Sequence, residues 1–159
     1  VDCPAEEASL LELLLLYPRF VQRFLDVGDP AWVTHPEARD LLTEMVNAVL
    51  SGTDDPAEMF VLGSETGGPL RARVARVLST PEMFPADQAD EVFEEMLADL
   101  QRAVYARERE RLEARQKKAQ EDGATEEAIG LLAEQADLKR RIDAIGRPAL
   151  RRARQPAIA

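Results

Sequence analysis

The stretch DQADEVFEEMLADLQRAVYARERERLEARQKKAQED, residues 87–122, decides the fold, because it reads as one helix whose two halves suit different surroundings. Asp87 stands behind Pro85 as the N-cap, and Asp90, Glu91, Glu94 and Glu95 put negative charge where the helix dipole favours it. No Gly or Pro interrupts the run before Gly123. Such a helix is about 52 Å long, roughly twice the diameter of the bundle the remaining chain can build. It cannot be buried along its whole length. Val92, Phe93, Met96, Leu97, Leu100 and Val104 form an apolar stripe of helical period, which belongs in a core. From Arg107 to Asp122 the stripe nearly vanishes: Leu112 is the one large aliphatic among six basic and five acidic residues, helped by Ala114 and Ala119. That half is expected to project into water. The fold class expected is all-α, with a helical bundle over residues 1–106, a protruding helical hairpin over 107–146 and a basic tail over 147–159.

A chain of 159 residues can form one substantial core, and its wealth of Leu, Ala, Glu and Arg with few aromatics is an all-helical composition. Charge is unevenly placed. Residues 1–106 hold 7 basic and 20 acidic side chains, a net of −13, and residues 107–159 hold 13 and 10, a net of +3. The bundle should therefore repel nucleic acid, and no direct nucleic-acid binding is expected there. The tail cations Arg147, Arg151, Arg152 and Arg154 read first as a solubilising end. A single cysteine, Cys3, allows no internal disulfide, which fits a reducing cytoplasm. The longest apolar run, Leu13 to Leu16, is far too short to span a bilayer. The chain opens at Val1 rather than Met, which suggests a piece of a longer protein.

In chain order, Asp2 is expected to cap a helix with Pro4, Glu6 and Glu7 in its first turn, continuing into Leu10-Leu11-Glu12-Leu13-Leu14-Leu15-Leu16. Leucine on nearly every face means a helix surrounded by others, so it belongs at the bundle centre until Tyr17-Pro18 ends it. A second helix buries Phe20, Val21, Phe24 and Leu25. Thr34-His35-Pro36-Glu37 reads as a capping box before a third helix that turns Ala38, Leu41, Leu42, Met45, Val46, Val49 and Leu50 inward. Asp55-Pro56-Ala57-Glu58 opens a short apolar helix through Met59, Phe60, Val61 and Leu62, and Gly67-Gly68 marks a loop. A fifth helix begins at Pro69, with Leu70, Val74, Val77 and Leu78 inward and Arg71, Arg73 and Arg76 outward. Met83 and Phe84 should cover one end of the bundle. Gly123 then reverses the chain after the long helix, with Thr125 as N-cap of the return helix. That helix carries Ala128, Leu131, Gln135, Leu138, Ile142 and Ile145 at spacings of 3, 4, 3, 4 and 3, a heptad seam able to pack on Tyr105, Leu112 and Ala119.

Reactive chemistry has little support. His35, the one histidine, sits in a helix cap; no H-E-x-x-H, no cysteine pair and no phosphate-binding Gly-rich loop with a lysine is present, and the acidic clusters lie at helix starts that already favour them. No catalytic residue, metal ligand or cofactor is assigned, and the domain is read as noncatalytic.

Glu6-Glu7-Ala8-Ser9-Leu10-Leu11-Glu12-Leu13-Leu14-Leu15-Leu16-Tyr17-Pro18, then Trp32-Val33-Thr34-His35-Pro36-Glu37-Ala38-Arg39-Asp40-Leu41-Leu42, and the charged segment Arg107 to Glu121 with Gly123 and the Leu131-Leu132 to Lys139-Arg140-Arg141 helix, span almost the whole chain. In these patterns the chain resembles the C-terminal, helicase-binding region of bacterial DNA primases. The resemblance implies a module of DNA replication that docks its terminal hairpin on the N-terminal collar of the hexameric replicative helicase in the cytoplasm, near the nucleoid, as part of a primosome. The primase itself would be a DNA-directed RNA polymerase. Single-stranded-DNA-binding protein is a further implied partner, held by basic residues near the domain start. Here that start is Asp2, Glu6, Glu7 and Glu12, and the nearest cations are Arg71, Arg73 and Arg76. The N-terminal domain of the replicative helicase looks similar and is one alternative; a self-associating helical-hairpin scaffold is another. The partner-binding residues expected on the hairpin are Leu112, Leu131, Leu132, Leu138, Lys139, Arg140, Arg141, Ile142 and Ile145. Their apolar members would fill a groove of the helicase and Lys139, Arg140 and Arg141 would complement charge at its rim.

Overall fold

The computed structural model describes residues 2–52, 57 and 68–145. All regular structure among them is helical: α1 (Ala5–Leu16), α2 (Arg19–Val27), α3 (Pro36–Leu50), α4 (Pro69–Ala75), α5 (Ala89–Glu121) and α6 (Thr125–Ala144), with short 3-10 turns at Pro30–Trp32, Arg76–Ser79 and Pro81–Met83. The chain divides into two compact units, Val1–Leu100 and Gln101–Ala159, and α5 runs through the division. The helix expected over 58–62 and the tail over 147–159 lie outside the described residues.

In the first unit α1 is encircled. Ala8, Leu10, Leu11, Leu13, Leu14 and Leu15 are all buried, and so are Glu7 and Glu12 on the same helix. The N-terminal half of α5 contributes Ala89, Phe93, Leu97 and Leu100 to this core. Phe93 stacks on Phe20 of α2 with ring centroids 4.7 Å apart, and the Arg23 guanidinium lies over the Phe93 face while pairing with Glu94 and, at 3.4 Å, Asp90. Tyr17, which ends α1, donates its hydroxyl to the Phe84 carbonyl at 2.5 Å, tying that end of the helix to the turn before α5.

Four local expectations are corrected. The N-cap of α1 is Pro4, not Asp2, and its carbonyl accepts the N–H groups of Glu7 and Ala8, both at 3.1 Å. The Thr34–Glu37 capping box does not form: α3 begins one residue later, at Pro36, with His35 as N-cap, and His35 Nδ1 accepts from the Ala38 N–H at 3.4 Å. The partner that Thr34 finds is Glu7, whose buried carboxylate accepts the backbone N–H of Thr34 and, at 3.2 Å, that of His35. The long helix starts at Ala89, so Asp87 lies in the turn before it. Thr125 is the first residue of α6 and Ala124 its cap, without a side-chain bond.

Three side chains also face the other way from expectation. Leu50, the last residue of α3, is 63 % exposed, and Met83 is 58 % exposed, whereas Phe84 beside it is buried. Arg71 turns inward instead of outward, because Glu44 of α3 receives its guanidinium.

Candidate docking surface

The second unit is a helical hairpin with a core of its own. Gly123 adopts φ 71°, the left-handed conformation that glycine enters without steric cost, and the Ala124 N–H bonds back to the Ala119 carbonyl at 2.8 Å to close α5. The antiparallel helices then interlock Leu112 and Ala119 of α5 with Ala128, Leu131 and Leu138 of α6, flanked by Tyr105, Ala124 and Ile142. This is the heptad seam, and it contains one polar layer. Gln135 donates to Gln116 Oε1 at 2.5 Å and, from the same nitrogen, to the Leu112 carbonyl at 3.4 Å.

The seam redistributes the expected partner-binding residues. Leu131 is 2 % and Leu138 6 % exposed, and Leu112 is equally covered, so these three are consumed inside the hairpin and cannot also fill a groove elsewhere. Ile142 and Ile145 are half-buried at the open end of the seam. Leu132, one position off the seam, is 49 % exposed, and Lys139, Arg140 and Arg141, two turns further along α6, are exposed as well. Ile129 was not expected in this role, yet it is 61 % exposed, three residues and hence one turn before Leu132 on the same outward side of α6. The signal was present in the sequence: Ile129 falls outside the 3-4 spacing that selects the seam.

Several charges on the hairpin are paired within it. Arg140 and Arg141 both reach Asp137, at 3.6 Å and 3.1 Å. On α5, Arg109 meets Glu113 at 3.1 Å, and Arg111 meets Glu108, whose carboxyl is held below its ordinary range chiefly by that hydrogen bond. These pairs are solvent-exposed and contribute little each. Lys139 has no ion pair among the described residues.

In the first unit burial shifts two titratable groups, Cys3 and Glu12. Burial pushes the Cys3 thiol up, and the Glu7 carboxylate adds to the rise, which is the opposite of what a thiolate nucleophile needs. Burial likewise raises the Glu12 carboxyl, against the pull of Arg73 4.0 Å away. Among the described residues no group of three or more His, Cys, Asp or Glu is placed to hold a metal ion, and no helix is long and apolar enough to cross a membrane.

The chain matches no family model, no curated protein and no solved structure.

Proposed function

We propose that this chain is the noncatalytic C-terminal domain of a bacterial DNA primase, which binds the N-terminal collar of the hexameric replicative helicase and so couples primer synthesis to the fork. It would act in the cytoplasm, at the nucleoid. The observation that carries this reading is a hairpin that spends Leu112, Leu131 and Leu138 on its own seam and still presents Ile129 and Leu132 to solvent, on the helix that two turns later exposes Lys139 and Arg140. Two large aliphatics one turn apart on an exposed helix face are available to a partner, as the seam residues are not. The resemblance of the opening leucine helix, the Trp32 to Leu42 segment and the charged hairpin to primase C-terminal regions supplies the partner.

The docking contribution falls to Ile129, Leu132, Lys139, Arg140 and Arg141, with Ile142 and Ile145 at the edge. Apolar anchors at i and i+3 fit a groove between helices, and the cations suit an acidic rim. Isothermal titration of the full chain against a purified helicase collar tests this. Ile129→Asp and Leu132→Asp are expected to abolish binding while far-UV circular dichroism stays unchanged. Binding at wild-type strength by both variants would refute the assignment. Leu138→Asp is no substitute, since it destroys the seam itself.

A role in holding the acidic tail of single-stranded-DNA-binding protein draws less support. Of the three nearest cations, Arg71 is engaged by Glu44 and Arg73 leans on Glu12.

A further inference from the structure

The outward side of α6 carries an order of residues that its hairpin does not use. Ala128, Leu131 and Leu138 enter the seam; away from it Glu126, Ile129, Ala133, Ala136 and Arg140 are all exposed and recur at alternating three- and four-residue steps, a second helix face with exposed Leu132 on its flank. From the N-terminal end that face reads acidic, apolar, small, small and basic. A face with acid at one end and base at the other complements a second copy of itself when the two helices run antiparallel.

The register follows from the numbering. If Ala133 meets Ala133 of a second copy on a two-fold axis, residues whose numbers sum to about 266 lie level. Glu126 then stands beside Arg140 of the second copy, and the same pairing repeats by symmetry. Ile129 from each copy lies against Ala136 of the other, and the two Leu132 side chains meet on one flank. The small side chains of Ala133 and Ala136 let the two backbones approach closely. Glu126 makes no ion pair among the described residues, and the 3.6 Å tie from Arg140 to Asp137 leaves the Arg140 side chain 76 % exposed, so both ends are open to a second partner.

We infer that the chain self-associates through this face of α6 as an antiparallel two-fold dimer. Only a few side chains per copy are covered, so the dimer is weak, and the flanking ion pairs make it sensitive to salt. This stands apart from the helicase reading, because it concerns the free chain alone. Where both hold, self-association covers Ile129 and Leu132, and the helicase must displace the second copy to reach them.

Sedimentation equilibrium of the full chain at low salt, up to about 1 mM, tests it. The weight-average mass is expected to rise with concentration toward that of a dimer. Leu132→Asp should hold the mass at that of a monomer with unchanged helicity. Glu126→Arg alone, or Arg140→Glu alone, should weaken association about tenfold, and the two together should restore it. A constant monomer mass for the wild-type chain overturns the inference, as does association indifferent to Leu132→Asp. Failure of the double reversal to rescue the single ones overturns the antiparallel register.

Discussion

Replacing Glu7 should damage the first unit far more than a surface glutamate would. Its carboxylate is 1 % exposed on the central helix, yet it accepts the backbone N–H groups of Thr34 and His35, with the Thr34 hydroxyl 3.4 Å away. Each bond to an ionised acceptor contributes about 1.5–3 kcal/mol, and the cost of burying the carboxylate offsets part of the pair. Glu7→Ala leaves both N–H groups without that acceptor and opens a void on the central helix, so a net loss of about 3 kcal/mol is expected. For a unit of this size that is roughly 12–24 °C in melting temperature. Glu7→Gln keeps an acceptor oxygen while losing the charge, and should cost about half as much. Trp32 is the single tryptophan and lies in the turn just before Thr34, so its fluorescence in a urea titration reports on this unit alone. A Glu7→Ala midpoint displaced by less than the equivalent of about 0.5 kcal/mol would refute the argument that this carboxylate fastens α3 to α1.

Other perturbations separate the two units and test their polar interiors. Leu138→Ala should cost the hairpin about 2–4 kcal/mol, melting it early by far-UV circular dichroism while the Trp32 transition stays where it was. The double variant Gln116→Leu/Gln135→Leu should raise hairpin stability by about 1–2 kcal/mol but permit more than one pairing of the helices, seen as extra amide signals by NMR. Burial raises the Glu12 carboxyl, so the folded state holds that proton more tightly than the unfolded chain does. Stability is therefore greatest below the unfolded value and declines as pH rises from there through the raised folded value. Glu12→Gln should flatten that decline in urea midpoints measured across the acidic range; an unchanged slope would refute it.

The helices were legible because their cause is local and periodic. Leucine on every side of residues 10–16 foretells a surrounded helix, the stripe from Val92 to Leu100 foretells burial of one face, and the 3-4 spacing from Ala128 to Ile145 foretells a seam. Gly123 as the reversal point follows from the need for a positive φ. What escaped is interaction at a distance along the chain. Thr34 and Glu37 have the spacing of a capping box, but Glu7, 27 residues away from Thr34, supplies an ionised acceptor from a neighbouring helix, and that competitor wins. Arg71 looks like a solvent-facing cation until Glu44 is brought beside it by the packing of α3 and α4. The proposed docking surface was half legible for a related reason. A seam pattern names the apolar residues, but only the facing helix reveals which of them it covers and which, like Ile129 and Leu132, it leaves open.

Leu100 and Gln101 are successive residues of one α-helix, although they belong to different compact units. Domain boundaries ordinarily fall in exposed, irregular segments where a gene can be cut and rejoined at little cost. Here a break would sever hydrogen-bonded turns and put Leu97 and Leu100, both in the core, in the last turn of a newly made helix end. Recombination would find no harmless seam to exploit, so the two halves should travel together through evolution, lost or inherited as a pair.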